Sequence, residues 1–222
     1  MMSFVIKNLP ILIVITPLMF SLIVAVLSNI RLAWALSTFA SFLTTIFSIL
    51  LCFEVSNNSN ISYYLGNWPP PLGIEYVIDK VSIIPIMIVS VIGLIATLYA
   101  HNFFILEIDK NLVSKTYSLW LLTIAGLIGL ITTADAFNLF VFLEISSLSA
   151  VALVALGSKM DRKALIAGYN YLILGAVGAT FYVIGVGLLY GVTGTLNMSD
   201  LAQKIPALGL NKSVIVAFTF MM

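Results

Sequence analysis

Six stretches of about twenty mostly apolar residues constrain the fold of this chain more than any other feature. A helix needs about 20 such residues to cross the ~30 Å hydrocarbon core of a bilayer. The stretches cover residues 9–28, 32–53, 81–100, 116–134, 135–157 and 164–191, and an incomplete seventh covers 213–222. They predict an all-α polytopic membrane protein with six complete transmembrane helices and the start of a seventh. We interpret the first stretch as a retained helix, since the apolar core of a signal peptide is shorter, about 7–15 residues.

Composition supports a lipid environment and argues against several classes of soluble protein. Of the 222 residues, 61% are hydrophobic and 9% are charged, whereas soluble domains carry about 25% charged residues. The net charge of +1 gives no basic surface for nucleic acid. The single cysteine, Cys52, and the single histidine, His101, offer neither a disulfide pair nor a multi-histidine metal site. We therefore expect no catalytic residues, no cofactor and no metal site.

The break between the fourth and fifth stretches is very short, at Thr132–Asp135. A single helix from Thr116 to Gly157 would be about 60 Å long, twice the thickness of the hydrocarbon core. Two helices joined by a tight turn fit the membrane better, and Asp135 is then expected to cap the second helix.

Residues 54–80 differ from the apolar stretches around them. Ile61–Trp68 and Ile74–Asp79 are rich in aromatic and β-branched residues, and Pro69–Pro71 with Gly73 breaks the chain between them. The pattern predicts a β-hairpin with a wide turn that lies across helix ends outside the membrane. An irregular loop with aromatic residues at the membrane interface is the alternative. We treat residues 1–222 as one transmembrane domain, with this hairpin as its external element.

Basic residues predict the orientation of the helices, because cytoplasmic loops of membrane proteins carry an excess of Lys and Arg. One side holds Arg31, Lys110, Lys115, Lys159, Arg162 and Lys163, and the other holds Lys7, Lys80, Lys204 and Lys212. We expect the first set to face the cytoplasm. The N-terminus and the hairpin are then external, in a protein of the inner (plasma) membrane.

Glu144 is an acidic residue at bilayer depth. It lies nine residues after Asp135, about 13 Å further along a helix and near the bilayer midplane. An ionised carboxylate at that depth costs at least ~2.5 kcal/mol, so it must face other helices, a cation or internal water, or become protonated. We expect Glu144 to be an intramembrane proton-path residue. A carboxyl that only bonds neighbouring helices is the alternative.

Four further polar residues are candidates for the same proton path. Ser147 lies three residues after Glu144 and Thr133 eleven residues before it, so a helical period places both on its side. Tyr169 and Asn170 lie about two turns inside the sixth stretch. Small residues spaced four apart in that stretch favour close helix packing: Ala164 with Gly168, and Gly175 with Ala179.

Several of these motifs resemble one family. Residues 135–149, which include Glu144, resemble the fifth-helix signature of antiporter-like membrane subunits. These are the proton-translocating subunits of respiratory complex I and the D-type subunit of multisubunit sodium/proton (Mrp) antiporters. Residues 171–182 and 189–198 are similar to the sixth helix and the external loop that follows it. Residues 66–75 are similar to the external hairpin, in a form closest to the Mrp D branch.

The resemblance implies a membrane subunit of a proton or sodium/proton translocating complex, with other membrane subunits as partners and no redox chemistry of its own. It also implies that Glu144 pairs with a lysine on the seventh helix, whose charge sets the protonation of the carboxyl. This sequence has Ala134 where the family often has glycine, and Asn170 where it commonly has an ionisable residue. The family has two inverted repeats, and the matching lysine would lie past Met222, so we expect the chain to correspond to the N-terminal part. A truncated, vestigial or structural membrane protein without transport of its own stays the alternative.

Overall fold

The structure, a computed structural model, describes residues 6–57, 60–157, 163–209 and 211–222. In these residues, six helices are long and apolar enough to cross a membrane, which confirms the predicted spans. They are α1 (Leu9–Val26), α2 (Ile30–Asn57), α3 (Ile83–Glu107), α4 (Lys110–Thr132), α5 (Ala136–Leu156) and α6 (Lys163–Thr193). Two shorter helices follow, α7 (Met198–Ala207) and α8 (Lys212–Met221).

The helix α7 was not predicted from the apolar pattern. Its N-cap is Asn197, whose side-chain oxygen accepts hydrogen bonds from the backbone N–H groups of Ser199 (3.0 Å) and Asp200 (3.1 Å). Asp200 lies in its first turn and Lys204 in its last, where each charge is favourable to the helix dipole. A short helix with polar ends forms no long apolar run, so a search for membrane spans passes over it.

The predicted β-hairpin is confirmed. Strands β1 (Asn60–Tyr64) and β2 (Glu75–Asp79) pair antiparallel, with Asn60 opposite Asp79 and Tyr64 opposite Glu75. The first strand is shorter than the predicted Ile61–Trp68, because Leu65–Asn67 forms a 3₁₀ turn. Gly66 (φ 64°) and Asn67 (φ 61°) adopt left-handed conformations that a strand cannot contain.

The hairpin lies across one end of the helix bundle, which we call the hairpin end. Tyr76 and Ile78 are buried there in one apolar cluster with Leu9 and Ile128, from α1 and α4. The hydroxyl of Tyr63 also donates a hydrogen bond to Asn8 Oδ1, at the start of α1 (3.0 Å). The hairpin and the N-terminal end of α1 are therefore on the same side of the bundle, as the sequence predicts.

Each membrane helix packs on its neighbours: α4 packs on α1 and α5, α2 on α1 and α3, and α6 on α5 and α8. Small residues allow the close approaches. A Cβ on Gly126 of α4 would lie 2.7 Å from the backbone nitrogen of Ser146 in α5, so only glycine fits. The predicted packing role of small residues in α6 is confirmed at Gly168, which contacts Ala155. Among the described residues, nothing lies within 4 Å of a Cβ built on Gly175, so its packing role stays a prediction.

Candidate functional site

Glu144 is half-buried on α5, and its side of that helix can be assigned from the neighbouring contacts. Ser146 and Ser149 are buried against α4, where Ser146 meets Gly126 and Ser149 shares a 2.9 Å hydrogen bond with Thr123. Glu144 lies about 200° around the helix from Ser146. The carboxyl is therefore on the side of α5 that faces away from α4.

The helix α6 partly covers this side of α5. Ala155 lies eleven residues after Glu144, about three helical turns further along the same side. Ala155 contacts Gly168 of α6, with 3.5 Å between its Cβ and a Cβ built on Gly168. Glu144, which is half-buried, therefore lies on a side of α5 that α6 covers in part.

Within the described part of the chain, the Glu144 carboxyl has no hydrogen-bond or ion-pair partner. The hydroxyl of Ser147 is one turn away, but it donates to the main-chain carbonyl oxygen of Glu144 at 3.3 Å and not to the carboxyl. An unpaired carboxylate in hydrocarbon is unfavourable by several kcal/mol. A cation or internal water close to this carboxyl would lower that free-energy cost.

The shared helix face predicted for Thr133 and Glu144 is wrong. The helix α5 begins at Ala136, and Thr133 is the C-cap that follows the last residue of α4. Its hydroxyl oxygen accepts hydrogen bonds from the backbone N–H of Asp135 (3.3 Å) and from Asn138 Nδ2 (3.0 Å). Thr133 therefore stabilises the connection between α4 and α5 and does not lie on α5 beside Glu144. Its place in a proton path stays a prediction.

Tyr169 and Asn170 lie near the start of α6 and are both exposed, Tyr169 with 63% of its surface accessible. Neither forms a hydrogen bond with the Glu144 carboxyl within the described residues. The structure does not bring them together with Glu144, so their place in a proton path stays a prediction.

The predicted cap of α5 is confirmed. Asp135 has extended backbone dihedrals, and its carboxylate accepts a 2.7 Å hydrogen bond from the backbone N–H of Asn138. Asp135 is also 7% exposed. Burial raises the pKa of this carboxyl, and the hydrogen bonds from Asn138 and Phe137 offset part of that rise.

A second buried polar group lies beside Asp135, and sequence reasoning missed it. Glu75 of β2 is 8% exposed, and Asn197 is 2% exposed. Asn197 Nδ2 donates a 3.0 Å hydrogen bond to Glu75 Oε2, while the Asn197 side-chain oxygen caps α7. One amide side chain therefore joins the hairpin to the start of α7.

The main chain strengthens this junction on both sides of the turn between α4 and α5. On one side, the backbone N–H of Ala134 donates to the carbonyl oxygen of Glu75 (2.9 Å). On the other, Met198 donates to Ala134 (2.8 Å) and Ala136 donates to Leu196 (2.9 Å). We call Glu75, Ala134, Asp135 and Asn197 the clamp, because together they fix the start of the helix that carries Glu144.

The sequence analysis predicted one part of the clamp, the cap at Asp135, and the residue type of Asn197 is a signal that could have indicated another. Asp135 and Asn197 are both of the residue types that cap helices, and each directly precedes a helix. The pairing of Glu75 with Asn197 joins residues 122 positions apart, and no local pattern encodes it.

Comparison with known proteins supports the resemblance drawn from the motifs. The family model described as "NADH:quinone oxidoreductase/Mrp antiporter, TM" matches residues 133–222. NADH-quinone oxidoreductase subunit N of Desulforudis audaxviator is 41% identical over 221 residues, which is 96% of this chain and 42% of that protein. The putative antiporter subunit mnhD2 of Staphylococcus aureus is 32% identical over 94% of this chain and 41% of its own length.

Solved structures show the same relationship. A chain of the membrane-bound sulfane sulfur reductase, an archaeal respiratory membrane complex, superposes with a TM-score of 0.85 at 32% identity, over 96% of this chain and 43% of that chain. A chain of the Mrp complex from Dietzia sp. DQ12-45-1b has a TM-score of 0.78 at 25% identity, over 98% of this chain and 40% of that one. Respiratory complex I from Thermus thermophilus matches in fold, with a TM-score of 0.63 at 22% identity and 42% of its chain covered.

These comparisons confirm that the chain resembles antiporter-like membrane subunits over nearly its whole length. The chain spans about two fifths of the length of the curated relatives it matches, 42% and 41%.

Proposed function

We propose that this chain, similar throughout to antiporter-like membrane subunits, is a membrane subunit of a proton or sodium/proton translocating complex. Glu144 is its intramembrane proton-path residue. The relatives are named as subunits of an NADH-quinone oxidoreductase and of an antiporter. The expected partners are other membrane subunits of such an assembly, in which any redox chemistry belongs to other chains.

One observation carries the proposal. Glu144 is a half-buried carboxyl in the middle of the apolar helix α5, without a partner in the described part of the chain. Acidic residues at this depth are rare and unfavourable, and they mark ion and proton pathways in membrane proteins. A carboxyl without fixed partners can take up and release a proton with little rearrangement of the helices around it.

A cation that approaches and withdraws would make this carboxyl a switch. A positive charge within about 4–6 Å favours the ionised form of a carboxyl, and its withdrawal favours the protonated form. The resemblance implies that a lysine on the family's seventh transmembrane helix supplies this charge. The start of that span corresponds to α8 of this chain, not to the short helix α7. Glu144 faces away from α4, which leaves its side of α5 accessible to such a partner.

The proposed orientation places the hairpin end outside the cytoplasm, in the plasma membrane. Arg31, Lys110, Lys115 and Lys163 lie at the end opposite the hairpin, whereas Lys7, Lys80, Lys204 and Lys212 lie at the hairpin end. Lys159 and Arg162, which belong to the predicted cytoplasmic set, lie outside the described residues. The orientation therefore rests on the sequence count of six basic residues against four, because cytoplasmic loops carry an excess of Lys and Arg.

The test is transport by the assembled complex with Glu144→Gln, which keeps the shape of the side chain and removes its titratable proton. We expect this variant to abolish formation of a pH gradient in membrane vesicles, with an unchanged amount of the chain in the membrane. Glu107→Gln, the same chemical change at the end of α3, is the matched control and should transport normally. A pH gradient in the Glu144→Gln vesicles equal to that of the wild type would refute the proton-path role.

A further inference from the structure

A polar cavity lies at the end of the bundle opposite the hairpin, where α1 ends and α4 begins. Its volume is about 310 Å³, and it is lined by residues 25–28 and by Lys110, Asn111, Ser114 and Lys115 of α4. None of the residues that line the cavity belongs to α5, the helix that carries Glu144. No step of proton transfer proposed above uses it.

The α4 side of the cavity is electropositive. Lys110 and Lys115 are both exposed at its rim. The first turn of α4 begins at Lys110, and a helix N-terminus presents backbone N–H groups and about half a positive charge. Asp109 precedes the helix but does not line the cavity. These groups favour an anion with several oxygen atoms.

Ser114 provides an independent indication of a ligand. Its side chain is 5% exposed and lines the cavity, and its hydroxyl has no hydrogen-bond partner among the described residues. By contrast, the hydroxyl of Thr116, two residues on, donates to the Leu112 carbonyl oxygen at 2.9 Å. The hydroxyl oxygen of Ser114 keeps some accessible surface, so an oxygen atom of an anion bound in the cavity can accept a hydrogen bond from it.

The α1 side of the cavity offers groups of the opposite kind. Residues 25–28 include the last residues of α1, and the final carbonyl groups of a helix lack partners within it. Such carbonyl oxygens accept hydrogen bonds from hydroxyl groups. The cavity therefore combines cations and donors on one wall with acceptors on the other, which fits a phosphate that carries a glycerol headgroup.

We propose that this cavity binds the headgroup of an anionic phospholipid of the phosphoglycerol class. The phosphate contacts Lys110, Lys115 and Ser114, and the glycerol hydroxyls face the last carbonyls of α1. The site lies at a helix end, at the level where lipid headgroups are concentrated. Basic cavities between membrane helices on the cytoplasmic side are a recurring place for acidic headgroups.

The test is binding of phosphatidylglycerol by the purified full chain in detergent, with phosphatidylcholine and inorganic phosphate as comparison probes. The Lys110→Gln/Lys115→Gln variant should lose roughly thirtyfold in affinity for phosphatidylglycerol, because each lysine contributes to attraction of an acidic headgroup. Ser114→Ala should lose about tenfold, the value of a hydrogen bond to a charged group. Lys80→Gln, an exposed lysine at the hairpin end, should bind as the wild type does.

Three results would overturn the proposal. The first is equal affinity of the wild type and the double lysine variant for phosphatidylglycerol. The second is equal affinity of the wild type for phosphatidylcholine and phosphatidylglycerol. The third is binding of inorganic phosphate as tight as that of the lipid, which would identify a free anion as the ligand. If the double variant fails to fold, the affinities of Ser114→Ala and Lys80→Gln for phosphatidylglycerol are compared instead. Equal affinity of these two variants would overturn the proposal.

Discussion

Two carboxylates, one at the N-cap of α5 and one in the middle of that helix, serve different purposes. Asp135 lies at the end of the helix, where the backbone N–H of Asn138 binds its carboxylate at 2.7 Å. Glu144 lies mid-span with no partner in the described part of the chain. The hydrogen bond from Asn138 gives the Asp135 carboxylate a structural role as a helix cap. The Glu144 carboxyl has no such partner in the described part of the chain, and this is why we propose Glu144, and not Asp135, as the proton-path residue.

Substitution of Asp135 separates its cap from its charge. Asp135→Asn keeps an N-cap acceptor and removes a buried charge, so we expect thermal stability in detergent at neutral pH to stay equal or rise. Asp135→Ala removes the acceptor and should lower stability by about 1 kcal/mol. A larger loss for Asp135→Asn than for Asp135→Ala would contradict this division.

The pH dependence of stability provides a second measurement on the same residue. Because the pKa of Asp135 is raised, the folded chain binds this proton more tightly than the unfolded chain does. Asp135 therefore makes the free energy of unfolding fall as the pH rises from its usual pKa of 3.8 through the raised value. This contribution should vanish in Asp135→Asn, when unfolding midpoints are compared across acidic pH.

At the scale of elements, the clamp joins three parts of the chain that are distant in sequence. Strand β2, the turn between α4 and α5, and the segment before α7 are held together by backbone hydrogen bonds of 2.8–2.9 Å. Asn197 adds the side-chain bond to Glu75 and caps α7 with the same amide. The clamp thereby fixes where α5 begins, and with it the position of Glu144 relative to the hairpin end.

Exchange of the amide and the carboxylate tests the clamp. Asn197→Asp keeps the cap of α7 but places a second carboxylate beside buried Glu75, so it should lower stability by about 2–4 kcal/mol at neutral pH. Adding Glu75→Gln restores a donor opposite the new carboxylate and should recover most of that loss. The measurement is thermal unfolding of the single and double variants. If the double variant were no more stable than Asn197→Asp, the hydrogen bond would not be the cause.

At the scale of the whole molecule, the sequence predicted the features that depend on local chemistry. Long apolar stretches predicted six spans, and aromatic and β-branched residues around Pro69–Pro71 predicted the hairpin. The cap at Asp135 was predicted correctly from its residue type. The shared face of Thr133 and Glu144 was predicted wrongly, because α5 begins at Ala136 and Thr133 precedes it.

The features that the sequence did not reveal depend on long-range contacts. The partner of buried Glu75 is Asn197, 122 positions further along the chain, and the polar cavity forms only where α1 meets α4. The helix α7 is too short and too polar at its ends for an apolar pattern to detect. Such features require the arrangement of helices in space, which apolar periodicity does not determine.

The central claim is that Glu144 gains and loses a proton during transport, and infrared difference spectroscopy tests it most directly. Spectra of the assembled complex in membranes would be recorded with and without an imposed ion gradient. We predict a protonated-carboxyl band that changes with the gradient, is absent in Glu144→Gln and persists in Glu107→Gln. The absence of such a band in the wild type, or an unchanged band in Glu144→Gln, would contradict the account.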